Sequence, residues 1–105
     1  MPWYIYPLQI LAGALIANGV PHFTQGVSGQ PFPTPFARPP GVGDSSPMIN
    51  TLWGFANIVI GSALLRAIYP KGADTDIEWA LVWLGGLAMS LFLARHFGNV
   101  RGARR

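Results

Sequence analysis

A chain of 105 residues has room for one domain, and only 10% of its residues are charged, against roughly a quarter in an ordinary soluble domain. The formal net charge of +3 is concentrated late, in Arg95, Arg101, Arg104 and Arg105, and a basic segment beside a membrane helix points to anionic lipid headgroups rather than nucleic acid. The absence of cysteine excludes disulfides, iron–sulfur clusters, thiolate metal sites and covalently attached haem.

No charged side chain occurs from Pro2 to Ala37, from Ser45 to Leu65 or from Trp79 to Ala94. A helix crosses a hydrocarbon layer about 30 Å thick in roughly 20 residues, and each of these runs is of that order. Three such helices cannot all be interior to a soluble bundle of this size. The reading is therefore all-α, an integral membrane domain with three transmembrane helices at about 3–22, 47–69 and 76–97. A Pro/Gly-rich interfacial loop at 24–46 and a basic C-terminal tail at 98–105 complete it.

The first helix opens with Pro2, tolerated where the amide hydrogens have no intrahelical partner. The start Met1-Pro2-Trp3-Tyr4-Ile5-Tyr6 lacks the basic region of a cleaved signal peptide, so the segment reads as retained. Gly19, Pro21 and Gly26 mark its exit, and a helix continuing past Pro21 would be kinked.

Between Gln25 and Pro47 the composition turns to Gly, Pro and Ser, with Pro31-Phe32-Pro33-Thr34-Pro35-Phe36 at its centre. So many prolines forbid a regular helix or central strand. Unpaired backbone does not face lipid, so the loop belongs at the interface or against the helices, pinned by Phe23, Phe32 and Phe36, or re-enters as a lid.

Helix two starts at a clear signal, Ser46 as N-cap and Pro47 at the first helical position. The short link from Tyr69 to Thr75 makes helices two and three an antiparallel hairpin. Asp74 or Thr75 can cap helix three, with Asp76 and Glu78 suited to its positive end and Gly98 to its close. With the C-terminus cytoplasmic, the inner side holds Arg38, Arg95, Arg101, Arg104 and Arg105 and the outer side Arg66 and Lys71, the arrangement the basic-residue rule favours. The expected location is a bacterial inner membrane, N-terminus outside.

Small residues at spacing four mark helix-contact faces in membranes: Gly13 with Ala17, Gly86 with Ser90 and Ala94, and Gly54 and Gly61 flanking Asn57. Each can meet a helix of the same chain or of a neighbour. Asn18, Asn57 and Ser90 are the polar intramembrane positions, read as interhelical glue or as the lining of a polar path. His22 and His96 should lie at the same inner interface, since helices one and three run in the same direction. Two neutral imidazoles there can ligate a b-type haem, a chlorin or a metal, or pass protons to a quinone; otherwise they bond headgroups or loop carbonyls. Gly41-Val42-Gly43-Asp44-Ser45-Ser46 lacks a P-loop lysine and a preceding strand and reads as a capped turn.

The string Asn18-Gly19-Val20-Pro21-His22-Phe23, followed by Pro31-Phe32-Pro33-Thr34-Pro35-Phe36, Pro39-Pro40-Gly41, Ser45-Ser46-Pro47, Asn50 and Trp53-Gly54, resembles short bacterial three-helix inner-membrane proteins of unassigned function. The resemblance covers residues 13 to 61 and implies a membrane fold but no reaction. No nucleophile and base form a recognisable set, so an enzyme is not expected. The leading expectation is a non-catalytic accessory or scaffold subunit of an inner-membrane complex. The alternatives are a small homo-oligomeric transporter or channel and a haem-, chlorin- or quinone-binding redox protein. Homo-oligomerisation or membership of a larger complex is expected because three helices bury little alone, and scarce intramembrane charge argues against transport of ions.

Overall fold

A computed structural model describes residues 3–68 and 76–104. Three helices dominate: α1 (Ile5–Val27), α2 (Pro47–Ile68) and α3 (Asp76–Ala103). Two short strands, β1 (Phe32–Pro33) and β2 (Asp44–Ser45), pair antiparallel and pinch the long loop at its base. The caps expected at Asp74 or Thr75, with Tyr69 and Lys71, lie outside the described residues.

α1 is the central helix. Gly19 lies against Gly54 and Asn57, Gly26 against Thr51 and Pro47, and Gly61 against Ala12 and Ile16, a descending register that makes α2 antiparallel to it. On another face, Gly13 lies against Val82 and Gly86 and Gly85 against Ile10, while His22 reaches Phe97 further along; α3 is parallel. α2 and α3 pack chiefly on α1, not on each other, so the hairpin expected of them is one of connection and not of packing. Backbones approach closely at these seams: a β-carbon at Gly13 would overlap the Val82 carbonyl, and one at Gly54 would overlap the Phe23 amide.

Two expected helix ends move outward. α1 continues past Pro21 to Val27, because Gly26 is seated against Thr51 and Pro47 and the Thr24 hydroxyl bonds back to the Val20 carbonyl. α3 does not stop at 97: the segment expected as a basic tail is helical to Ala103. Val100 is buried, the Arg101 guanidinium lies 5.8 Å from the centre of the Phe32 ring, and Arg104 pairs with Asp44 at 3.2 Å. Those contacts with the loop outweigh the intrinsic cost of Gly98 in a helix, about 1 kcal/mol.

Helix two begins as its sequence dictates, with the Ile49 amide donating to Ser46 Oγ at 3.2 Å and Pro47 opening the helix. α2 and α3 are long and apolar enough to cross a membrane. α1, which carries Gln9, Asn18, His22, Thr24 and Gln25, does not reach the hydropathy of those two.

The distribution of side chains is inverted relative to a soluble domain. The largest fully buried side chains are Gln9, Glu78, Asn50 and Thr34, whereas Leu52, Phe55, Ile60, Leu84, Leu91 and Phe92 are exposed and Trp83 is 76% exposed. Glu78, read from the sequence as suited to the positive end of α3, is 1% exposed.

Candidate functional site

The chemistry-bearing side chains gather at the loop end of the molecule, and Asn50 is their hub. It stands in the first turns of α2, placed by the Ser46 cap, and is fully buried. Its Nδ2 donates to the carbonyls of Phe32 at 2.9 Å, Ser46 at 3.1 Å and Ser45 at 3.2 Å, joining both strands of the loop to the helix. With the amide nitrogen committed to three acceptors, Oδ1 faces His22, 2.9 Å from its Nδ1. A carbonyl oxygen only accepts, so Nδ1 carries the proton and Nε2 is the acceptor of the neutral ring.

His22 is buried among aromatic rings. Its centroid lies 5.3 Å from Phe32, 6.0 Å from Phe97 and 6.5 Å from Trp53, each edge-to-face. Trp53 also receives Phe36, at 5.0 Å, while its own Nε1 is buried without a hydrogen-bond partner among the described residues. Phe23, the third expected anchor, packs on Phe55 at 6.2 Å and so binds α1 to α2 rather than the loop to either.

A second fastener comes from α3. His96 Nε2 donates to the Gly41 carbonyl at 2.7 Å, and the Gly41 amide donates to the Thr34 carbonyl at 2.8 Å. Gly41 has φ +72°, a left-handed conformation that glycine adopts without strain. Thr34 Oγ1 in turn lies 2.5 Å from Ser45 Oγ and accepts from the Phe36 amide at 3.2 Å. The loop is therefore folded against the helices by a continuous set of hydrogen bonds.

His22 and His96 lie at the same end, as the parallel course of α1 and α3 requires. Phe97 approaches both rings, 6.0 Å from His22 and 5.0 Å from His96; His22 commits Nδ1 to Asn50 of α2, and His96 commits Nε2 to the loop at Gly41. Among the described residues no three His, Asp or Glu side chains gather as metal ligands.

Asn18 and Asn57 meet across the α1–α2 seam: Asn18 Nδ2 donates to Asn57 Oδ1 at 3.0 Å, and Asn57 Nδ2 to the Trp53 carbonyl at 2.8 Å. Ser90 is not with them. Its hydroxyl donates to the Gly86 carbonyl of its own helix at 2.7 Å, and it borders exposed grooves beside α1. Gly13, Gly54 and Gly61 contact helices of the same chain, Gly86 makes an ordinary contact with Gly13, and Ala17 borders the same grooves as Ser90.

Sequence reasoning passed over Asn50 and Thr34 as site residues, and over Gln9, whose amide is fully buried with neither atom hydrogen-bonded among the described residues. A signal for Asn50 was present: Asn50, Gly54, Asn57 and Gly61 recur at helical spacing on one face. Ala12, Gly19 and Gly26, seven apart, mark the answering face of α1 in the same way.

Compared with protein-family models, with curated proteins and with solved structures, the chain matches none of them.

Proposed function

We propose that this chain is a three-span protein of a bacterial inner membrane and serves there as a non-catalytic accessory or scaffold subunit of a larger complex. The observation that carries the reading is the inverted side-chain distribution: polar Gln9, Asn50 and Asn57 inside, Leu52, Phe55, Trp83 and Leu91 outside. Exposed apolar surface on this scale is unfavourable in water and favourable against acyl chains or partner helices. The long dimension of 48 Å is close to a full bilayer of about 40–45 Å, headgroups included. Arg38, Arg95, Arg101 and Arg104 fall at the loop end and Arg66 at the other, which supports a cytoplasmic loop and C-terminus.

The scaffold role is supported by how the polar groups are used. Asn18, Asn57, His22, Asn50 and His96 all bond within the chain and fix its shape. A redox role would have to use the second nitrogen of each ring, Nε2 of His22 and Nδ1 of His96, and a path through Asn18, Asn57 and Ser90 would join residues that belong to different faces.

Solubilisation of native membranes in mild detergent tests the proposal. Migration of the chain with larger partners supports it, and migration as a colourless homo-oligomer overturns the accessory role. Visible absorption of the purified material would favour the redox alternative instead.

A further inference from the structure

The α1–α3 side carries an open slot of about 480 Å³ whose walls are Ala17, Val20, Leu93 and Phe97 and whose loop-end mouth is formed by Gln25 and Arg101. We infer that this slot is a binding site for one acyl chain of an anionic phospholipid of the cytoplasmic leaflet, with the phosphodiester held at Arg101. The inference rests on the membrane insertion proposed above and adds a ligand and a place to it.

Three observations converge on that occupant. First, the slot is amphipathic along its length: its walls are apolar apart from Ser90, whose hydroxyl is bonded to the Gly86 carbonyl of its own helix, and Gln25 and Arg101 stand at the end where the loop and the basic residues lie. Second, its span fits one leaflet. From Ser90, at its far end, to Arg101 is about 16 Å at 1.5 Å per residue, half of a hydrocarbon layer of about 30 Å. Third, the charge at the mouth is available. Asp44 is the nearby acid and is engaged by Arg104, whereas Arg101 has no ion pair among the described residues and is held over the Phe32 ring. Phe32 is itself buried and bonded through its carbonyl to Asn50, so the cation is positioned by the folded loop. A guanidinium with free donors beside an apolar slot matches a phosphodiester carrying an acyl chain.

The test is native mass spectrometry of the full chain in mild detergent, titrated separately with phosphatidylglycerol and phosphatidylcholine. The wild type is expected to bind one phosphatidylglycerol preferentially. Arg101→Gln should lower that preference by about fivefold, the factor one basic residue contributes at an anionic surface. Arg95→Gln, a change of equal charge on an exposed residue outside the slot, should leave it intact. Ala94→Phe, at an exposed wall position, should reduce binding of both lipids without disturbing the helix seams. Equal losses in Arg95→Gln and Arg101→Gln would overturn the slot and leave only diffuse attraction to basic residues. A chain recovered from the supernatant after an alkaline wash of the membranes would overturn both the slot and the membrane reading.

Discussion

The two seams of α1 are held by different physics. Against α2, close glycine contacts are joined by side-chain hydrogen bonds, Asn18 to Asn57 along the helices and His22 to Asn50 at the loop. Against α3, Gly13 and Gly85 bring backbones together where a β-carbon would overlap a carbonyl, Glu78 is buried near the start of α3, and His96 bonds the loop near the other end. In the membrane proposed above, helices gain nothing from hiding apolar groups from one another, and close packing and hydrogen bonds are the available sources of cohesion. On the α2 side the bonds Asn18–Asn57 and His22–Asn50 join α1 and α2 directly, beside the glycine contacts.

The contrast is broken most severely by Gly13→Leu. The side chain has no space against Val82, and the α1–α3 seam should lose about 3 kcal/mol, the upper range for overpacking a tight interface. Reversible unfolding in mixed detergent micelles measures it, and Gly86→Ala, where a β-carbon meets Gly13 at an ordinary 3.6 Å, is the matched control with little change.

Asn50→Leu comes next. It removes the partner of His22 and of three loop carbonyls, for an expected loss of about 2 kcal/mol. Its signature is local: limited proteolysis between residues 28 and 46 should accelerate well before the helices unfold.

Asn57→Leu should cost about 1 kcal/mol, within the range for one interhelical bond in a membrane. A double-mutant cycle with Asn18→Leu sharpens the comparison, since the second substitution should then add little.

The smallest effect belongs to Arg104→Gln. Its bridge to Asp44 is between partly exposed groups and should contribute at most about 1 kcal/mol, diminishing as salt is raised. Chemical-denaturation midpoints at low and high ionic strength report the difference.

What the sequence made legible follows from the range of each signal. The start of α2 is local, written in Ser46 and Pro47, and the structure follows it. The Asn18–Asn57 bond was foreseeable because an amide among apolar residues seeks a partner. The helix ends were not, because Pro21 and Gly98 are local stop signals that distant contacts override, Gly26 on Thr51 in one case and Val100, Arg101 and Arg104 on the loop in the other. Nor does sequence order reveal that α1 lies between α2 and α3. A short link suggests adjacency, but glycines on both faces of α1 decide which helices meet. The spacing of Asn50 marks its face of α2 but not its partners, since its importance lies in contacts with His22 and Phe32, 28 and 18 residues away.

Spin labels placed singly along the exposed face of α2, at Leu52, Phe55, Val59 and Ile60, would read the solvent around the helix directly in reconstituted vesicles. If these apolar residues face acyl chains, collisions with oxygen will exceed those with a polar nickel chelate, and the excess will rise toward the middle of α2. A chelate-dominated profile along the same four positions would mean that this surface faces water.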